Sequence, residues 1–175
     1  SLASNPPGHA MSGLRLAATQ REFRRASPLL LLEMRRNPDR LTASPDVVVG
    51  GVTYPAVSYK AAPDQTFTVM FDPQTGLPAR IRTLDWDNIY GDSAYDLVLS
   101  DWRAFGGIKV AASRQYQLNG KTIIEVKVAD AAFNGTVNAA SIAIPAAAKV
   151  SAAKPGTANV PYQWVLRRQI IGTYL

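Results

Sequence analysis

Downstream of Pro45 apolar and polar residues alternate one by one, and Gly, Pro, Asn or Asp breaks the alternation at hairpin spacing. A period of two places alternate side chains on opposite sides of an extended chain, so only β-strands can bury this pattern on one face. "DVVVGGVTYPAVSYKA" predicts two short strands around Gly50-Gly51, a pair suited to a tight hairpin. "TFTVMFD" puts Phe67, Val69 and Phe71 on one face, and "DPQTGLP" follows as a turn built from Pro73 and Gly76. "ARIRTLD" alternates arginine with apolar or hydroxyl residues. "AYDLVLSDW" sends Tyr95, Leu97 and Leu99 one way and Asp96, Val98 and Ser100 the other. "GIKVAASRQYQL" groups Ile108, Val110, Tyr116 and Leu118. Asn119-Gly120 then suits a turn with φ > 0 at both central positions, and Ile124, Val126 and Val128 return inward.

Upstream the period is helical. "SGLRLAATQREFRRAS" predicts a helix with Ser12 at the N-cap and Leu14, Leu16, Ala17, Ala18 and Phe23 as its apolar members. "SPLLLLEMRRNPD" predicts a second one, capped by Ser27, with Pro28 at the first helical position and Asn37-Pro38 as the stop. Two helices before seven or eight strands give an α+β fold: a curved antiparallel sheet, an open half-barrel, covered by the N-terminal helices. Residues 1–13 read as a flexible terminus and 14–145 as the helix-plus-sheet domain. The Ala-, Pro- and Gly-rich 146–161 reads as a linker, and 162–175 as a C-terminal helix or docking segment. In that segment Tyr162, Trp164, Val165, Leu166 and Ile170 are the candidate docking residues; packing on its own domain is the plainer alternative.

Chemistry is sparse. The 175 residues contain no cysteine, which excludes disulfides, thiolate metal sites and cysteine nucleophiles. No run approaches the ~20 apolar residues of a membrane-spanning helix, and "SLASNPPGHAMSG" lacks the pattern of a signal peptide. The net charge of +6 is unevenly spread: seven arginines lie between Arg15 and Arg40, and five aspartates lie between Asp85 and Asp101 with no basic residue among them. Neither aromatic-basic interleaving nor a helix-turn-helix accompanies the charge, so a nucleic-acid partner is not expected. The arginine-rich helices are read instead as docking on an acidic surface or on the chain's own sheet. Asp85, Asp87, Asp92, Asp96 and Asp101 have the chemistry of calcium ligands but not the spacing of a calcium loop. The preferred reading makes them punctuation: turns at Asp87-Asn88 and Gly91-Asp92, Asp96 facing solvent, and Asp101 capping the turn before Arg103. No Gly-x-Ser-x-Gly elbow is present, and "GGVTYP" and "FGGIKV" open no helix and so cradle no phosphate. No catalytic, cofactor-binding or metal-binding residue is assigned.

The order of several elements resembles a known family. These are D-x-x-T-G-L-P at 72–78, Gly91-Asp92 before a strand, Ser-Asp-Trp-Arg at 100–103, Gly-Gly-Ile-Lys at 106–109 and the Asn-Gly hairpin. Over about residues 27–145 the chain resembles the β-rich domain preceding the catalytic domain in some secreted metallo-β-lactamase-fold hydrolases. That domain is similar in turn to the outer-membrane lipoprotein carriers and sorting factors, open half-barrels closed by helices. The resemblance implies a non-catalytic accessory domain of an exported, periplasmic or secreted hydrolase, packing on the catalytic domain or on a second subunit. Zinc is expected only in a catalytic domain outside this chain, because such a site needs a histidine cluster and His9 is the sole histidine. The alternative is a free-standing periplasmic carrier of a lipid, acyl chain or lipoprotein, held between the helices and a face of Phe67, Val69, Phe71, Leu97, Leu99 and Val126. An enclosed apolar pocket of ~300 Å³ or more would suit a carrier, and a filled core would remove it.

Overall fold

A computed structural model of the chain describes residues 13–87 and 89–143. Residues 13–136 form one compact unit; residues 137–143 belong to a second, in which Asn138 caps the short helix α3 (Ala139–Ile142) through the Ala140 N–H. The docking segment Tyr162, Trp164, Val165, Leu166 and Ile170, the predicted linker 146–161 and the predicted cap Ser12 lie outside the described residues.

The main unit opens with α1 (Gly13–Ala26) and α2 (Leu29–Arg36), then a 3-10 turn at Pro38–Arg40. Seven strands follow: β1 (Leu41–Val49), β2 (Val52–Ala62), β3 (Gln65–Phe71), β4 (Pro78–Asp87), β5 (Gly91–Phe105), β6 (Ile108–Leu118) and β7 (Lys121–Lys127). They pair in sequence order, every pair antiparallel, and the sheet does not close. The fold is therefore α+β and dominated by one antiparallel sheet. Its turns are the ones the residues demand. Gly50-Gly51 has φ values of 59° and 81°, and Asn119-Gly120 has 48° and 81°, the left-handed pair that a two-residue hairpin requires. At the β3–β4 turn the Asp72 carboxylate accepts the N–H groups of Gln74 and Thr75 at 2.9 and 2.7 Å.

Two boundaries differ from the sequence expectation. The sheet begins at Leu41 rather than after Pro45, because Pro45 and Asp46 form a bulge opposite Pro55, between the pairs Ser44–Ala56 and Val47–Tyr54. A proline cannot donate to the ladder, and an edge-strand bulge is where none is asked to. Helix α2 starts at Leu29, whose N–H donates to Ser27 Oγ at 3.2 Å, while Pro28 already has helical φ of −64°.

The register organises the sheet into rows. Ala43, Val57, Val69, Ile81, Leu97, Tyr116 and Ile124 are successive cross-strand partners through all seven strands. Thr42, Ser58, Thr68, Arg82, Asp96, Gln117 and Thr122 form an equally complete row; on β1–β6 it lies one residue along and so on the opposite face, while on β7 a bulge at Ile123 separates Thr122 from Ile124. Leu30 and Met34, four apart on α2, join Tyr59, Ala61, Phe67, Val69, Ile81 and Leu97 in the core. Leu30 is 1% exposed. Leu30→Ala is expected to lower the unfolding free energy by about 2–5 kcal/mol through lost burial and the cavity left behind. A lower urea midpoint with unchanged m-value is the readout.

Candidate functional site

The stripe that α1 turns toward the sheet is made of arginines. Arg21 and Arg25 are one turn apart on the helix, and Thr83 and Asp85 are two apart on β4, so each pair shares a face. Arg21 grips Asp85 with both arms, Nε to Oδ2 at 2.6 Å and Nη2 to Oδ1 at 2.7 Å. Arg25 Nη1 donates to Thr83 Oγ1 at 2.6 Å, and its guanidinium carbon lies 5.6 Å from the centre of the Tyr95 ring. Between them Arg24 pairs with Glu33 of α2 and donates to Gln65 at the start of β3, while the Tyr59 hydroxyl donates to the same Glu33 at 2.7 Å. The Arg24 hydrogen bonds hold the Glu33 carboxyl below its ordinary range. Leu16 and Phe23, two of the predicted apolar members of α1, are exposed. Of the two readings of the basic helices, contact with the chain's own sheet is seen for Arg21, Arg24 and Arg25.

Beside Arg25 a cleft of ≈ 160 Å³ opens between the α1–α2 junction and strands β4, β5 and β6. Leu31, Ile81, Leu97, Leu99, Trp102 and Val110 supply much of its apolar lining. Arg25, Lys109 and Arg114 also line it, and no acidic residue does. Arg25 is 4% exposed and makes no ion pair among the described residues; its Nε has no hydrogen-bond partner. Burial pulls its pKa below the usual arginine range. Burial, with the hydrogen bond to Asp87, pushes the Tyr95 phenol up to about 12. Arg114, opposite Leu99 in the ladder, is half-buried and donates its Nε to the Ala111 carbonyl at 3.3 Å.

On the opposite face Asp96, expected in solvent, is 1% exposed. Arg80 Nη1 donates to its Oδ2 at 2.7 Å, and Arg82 donates to Oδ1 and Oδ2 at 2.7 and 2.9 Å. The arginines that alternate through "ARIRTLD" flank it from the neighbouring strand, and they supply the counter-charge that burial demands. The other four aspartates disperse. Asp85 faces α1, and Asp87 accepts the Ile89 and Tyr90 N–H groups at 2.8 and 2.9 Å as turn punctuation. Asp92 is exposed. Asp101, at φ 53°, pairs with Arg103. Among the described residues no three His, Cys, Asp or Glu side chains converge as metal ligands.

The predicted ligand face divides. Phe67 and Val69 are fully buried in the core with Leu30 and Met34, and Phe71 packs against that cluster. Leu97 and Leu99 line the cleft, whereas Val126 is 37% exposed on β7. Arg25, Arg114, Ile81, Trp102 and Val110 complete the cleft without having been singled out as binding residues. Their signal was present in part: Arg21 and Arg25 repeat at one helical turn, and Leu99 and Arg114 are partners once the Gly106-Gly107 hairpin fixes the register. Compared with protein-family models, curated proteins and solved structures, the chain shows no significant match.

Asp96→Asn leaves Arg80 and Arg82 without a counter-charge and is expected to cost about 3–5 kcal/mol, measured by urea unfolding. Arg82 and Arg80 outweigh the opposing effect of burial and hold the Asp96 carboxyl below its ordinary value. The stabilisation from a depressed carboxyl is complete above the unfolded value near ~3.9 and fades as pH falls through the folded one. The melting temperature is therefore expected to drop on acidification below about pH 4, and more steeply in the wild type than in Asp96→Asn.

Proposed function

We propose that this chain is a non-catalytic interaction domain that accompanies a metallo-β-lactamase-fold hydrolase, packing on its catalytic domain or on a second subunit. The sheet would form an open half-barrel with the helices over its mouth, as in the carrier-like domains it resembles. The observation that carries the reading is β7. All seven of its residues are exposed, and among the described residues it pairs only with β6. Ile123, Ile124 and Val126 sit on this sheet edge at 57%, 49% and 37% exposure. An edge with unused backbone groups and apolar side chains is a ready template for a partner. Lys121, Glu125 and Lys127 on the same strand keep it soluble until the partner arrives.

A second reading draws on the cleft: a carrier of a hydrophobic ligand. At ≈ 160 Å³ the cleft is smaller than the ~300 Å³ that begins to enclose a drug-sized ligand. It is close to the ~150 Å³ of an apolar cavity that admits benzene. A ring or about the first six carbons of one chain fit that space, the remainder of a chain lying along its open mouth; the several chains of a lipoprotein anchor do not.

The chain is expected to co-elute with a separately produced metallo-β-lactamase-fold catalytic domain from the same polypeptide or operon. The double variant Ile124→Glu/Val126→Glu is expected to abolish co-elution while leaving stability within about 1 kcal/mol. Absence of association in the wild type removes the docking reading.

A further inference from the structure

We propose that the cleft beside Arg25 is a binding site for a single-chain anionic amphiphile, a fatty-acid carboxylate, with the anion on Arg25 and Arg114 and the chain along Leu31, Leu97, Leu99 and Trp102. The proposal rests on the cleft reading above and not on docking through β7.

Three observations converge on one ligand chemistry. The first is the state of Arg25. A guanidinium removed from water is normally balanced by a carboxylate and by hydrogen bonds to its donors. Arg21, Arg24, Arg80 and Arg82 all obey this rule, each with an acidic partner. Arg25, more buried than any of them, has a hydroxyl, an aromatic face and one long contact of 3.5 Å to the Tyr95 carbonyl, and its Nε is unsatisfied. A carboxylate is the group whose two oxygens match the donors of such a fork. The second is the charge of the walls: Arg25, Lys109 and Arg114 with no acid among the lining residues, so an anion is attracted and a cation repelled. The third is their apolar remainder. Leu31, Ile81, Leu97, Leu99, Trp102, Ile108, Val110 and Phe133 offer an alkyl chain a surface that phosphate, nucleotide or sugar ligands would leave unused. Size then limits the chain to one.

The test uses the full 175-residue chain and two probes of equal length, decanoate and the uncharged decanol, by isothermal titration. Decanoate is expected to bind at least about tenfold more tightly, the increment of one charge-assisted hydrogen bond in a desolvated site. Arg25→Met, which keeps the bulk and removes the charge, is expected to erase the difference while decanol binding persists. Arg114→Gln, which leaves the α1–β4 contact intact, is expected to reduce it. In the wild type the Arg25 Nε–H resonance is expected to shift with decanoate and stay in place with decanol, a readout that needs no variant. Equal affinity for the two probes, or a decanoate preference that survives Arg25→Met, overturns the anionic site but leaves an apolar cleft standing. Failure of both probes to bind removes the cleft reading as well.

Discussion

Two neighbouring rows of side chains run straight across the sheet, and the rest of the molecule follows from them. In the first, every strand contributes an apolar residue, from Ala43 to Ile124; in the second, every strand contributes a polar one, from Thr42 to Thr122. On β1 to β6 the rows take successive residues, which point to opposite sides, so there they occupy opposite faces; on β7 the bulge at Ile123 intervenes. A slip of one residue in the β4–β5 hairpin would place Asp96 on the face that α2 covers and Leu97 beside Arg82. Short turns prevent the slip. The Asn119-Gly120 and Gly50-Gly51 hairpins each allow one register, and the Asp72 and Asp87 carboxylates tie down the turns that lack such a pair.

Each face then solves a different problem. The apolar row meets Leu30 and Met34 and closes where it is most buried, at Val69, Ile81 and Leu97. The polar row is also buried at its centre, and there Arg80 and Arg82 hold Asp96. Such a pair adds little net stability over an apolar replacement, but it makes a wrong β4–β5 register costly, since a slip between those strands separates the charges. The acidic groups of the mid-chain segment, which on paper resemble a reactive cluster, are therefore spent on structure: Asp85 on α1, Asp87 on a turn, Asp96 on the ladder.

How much of this the sequence discloses depends on how local the cause is. Turn residues and period-two alternation act within a few positions, so the strands, their number and the hairpins at Gly50, Gly106 and Asn119 are readable one segment at a time. Asp96 was not, because its environment depends on Arg80 and Arg82 of another strand; taken alone, an aspartate between Tyr95 and Leu97 looks solvent-bound. The same holds for α1. Leu16, Ala17 and Phe23 suggest an apolar contact face, yet Asp85 and Thr83 await it on β4, and arginines answer them. The cleft was half legible. Leu97 and Leu99 belong to the expected face, but which part of that face α2 would fill, at Phe67 and Val69, and which part it would leave open could not be read before the helix had a position.

The facing prolines of the outermost hairpin bear on how copies of this molecule would meet. Pro45 and Pro55 interrupt the ladder at one side of the sheet, and at the far side Ile123 is bulged out of the β6–β7 register between Thr122 and Ile124. Growth by strand addition needs two receptive borders, one to accept and one to be accepted, if it is to continue. Among the described residues both outermost strands carry a bulge, and a bulge turns a border away from repeated strand addition. Irregular borders of this kind favour finite contacts over filaments.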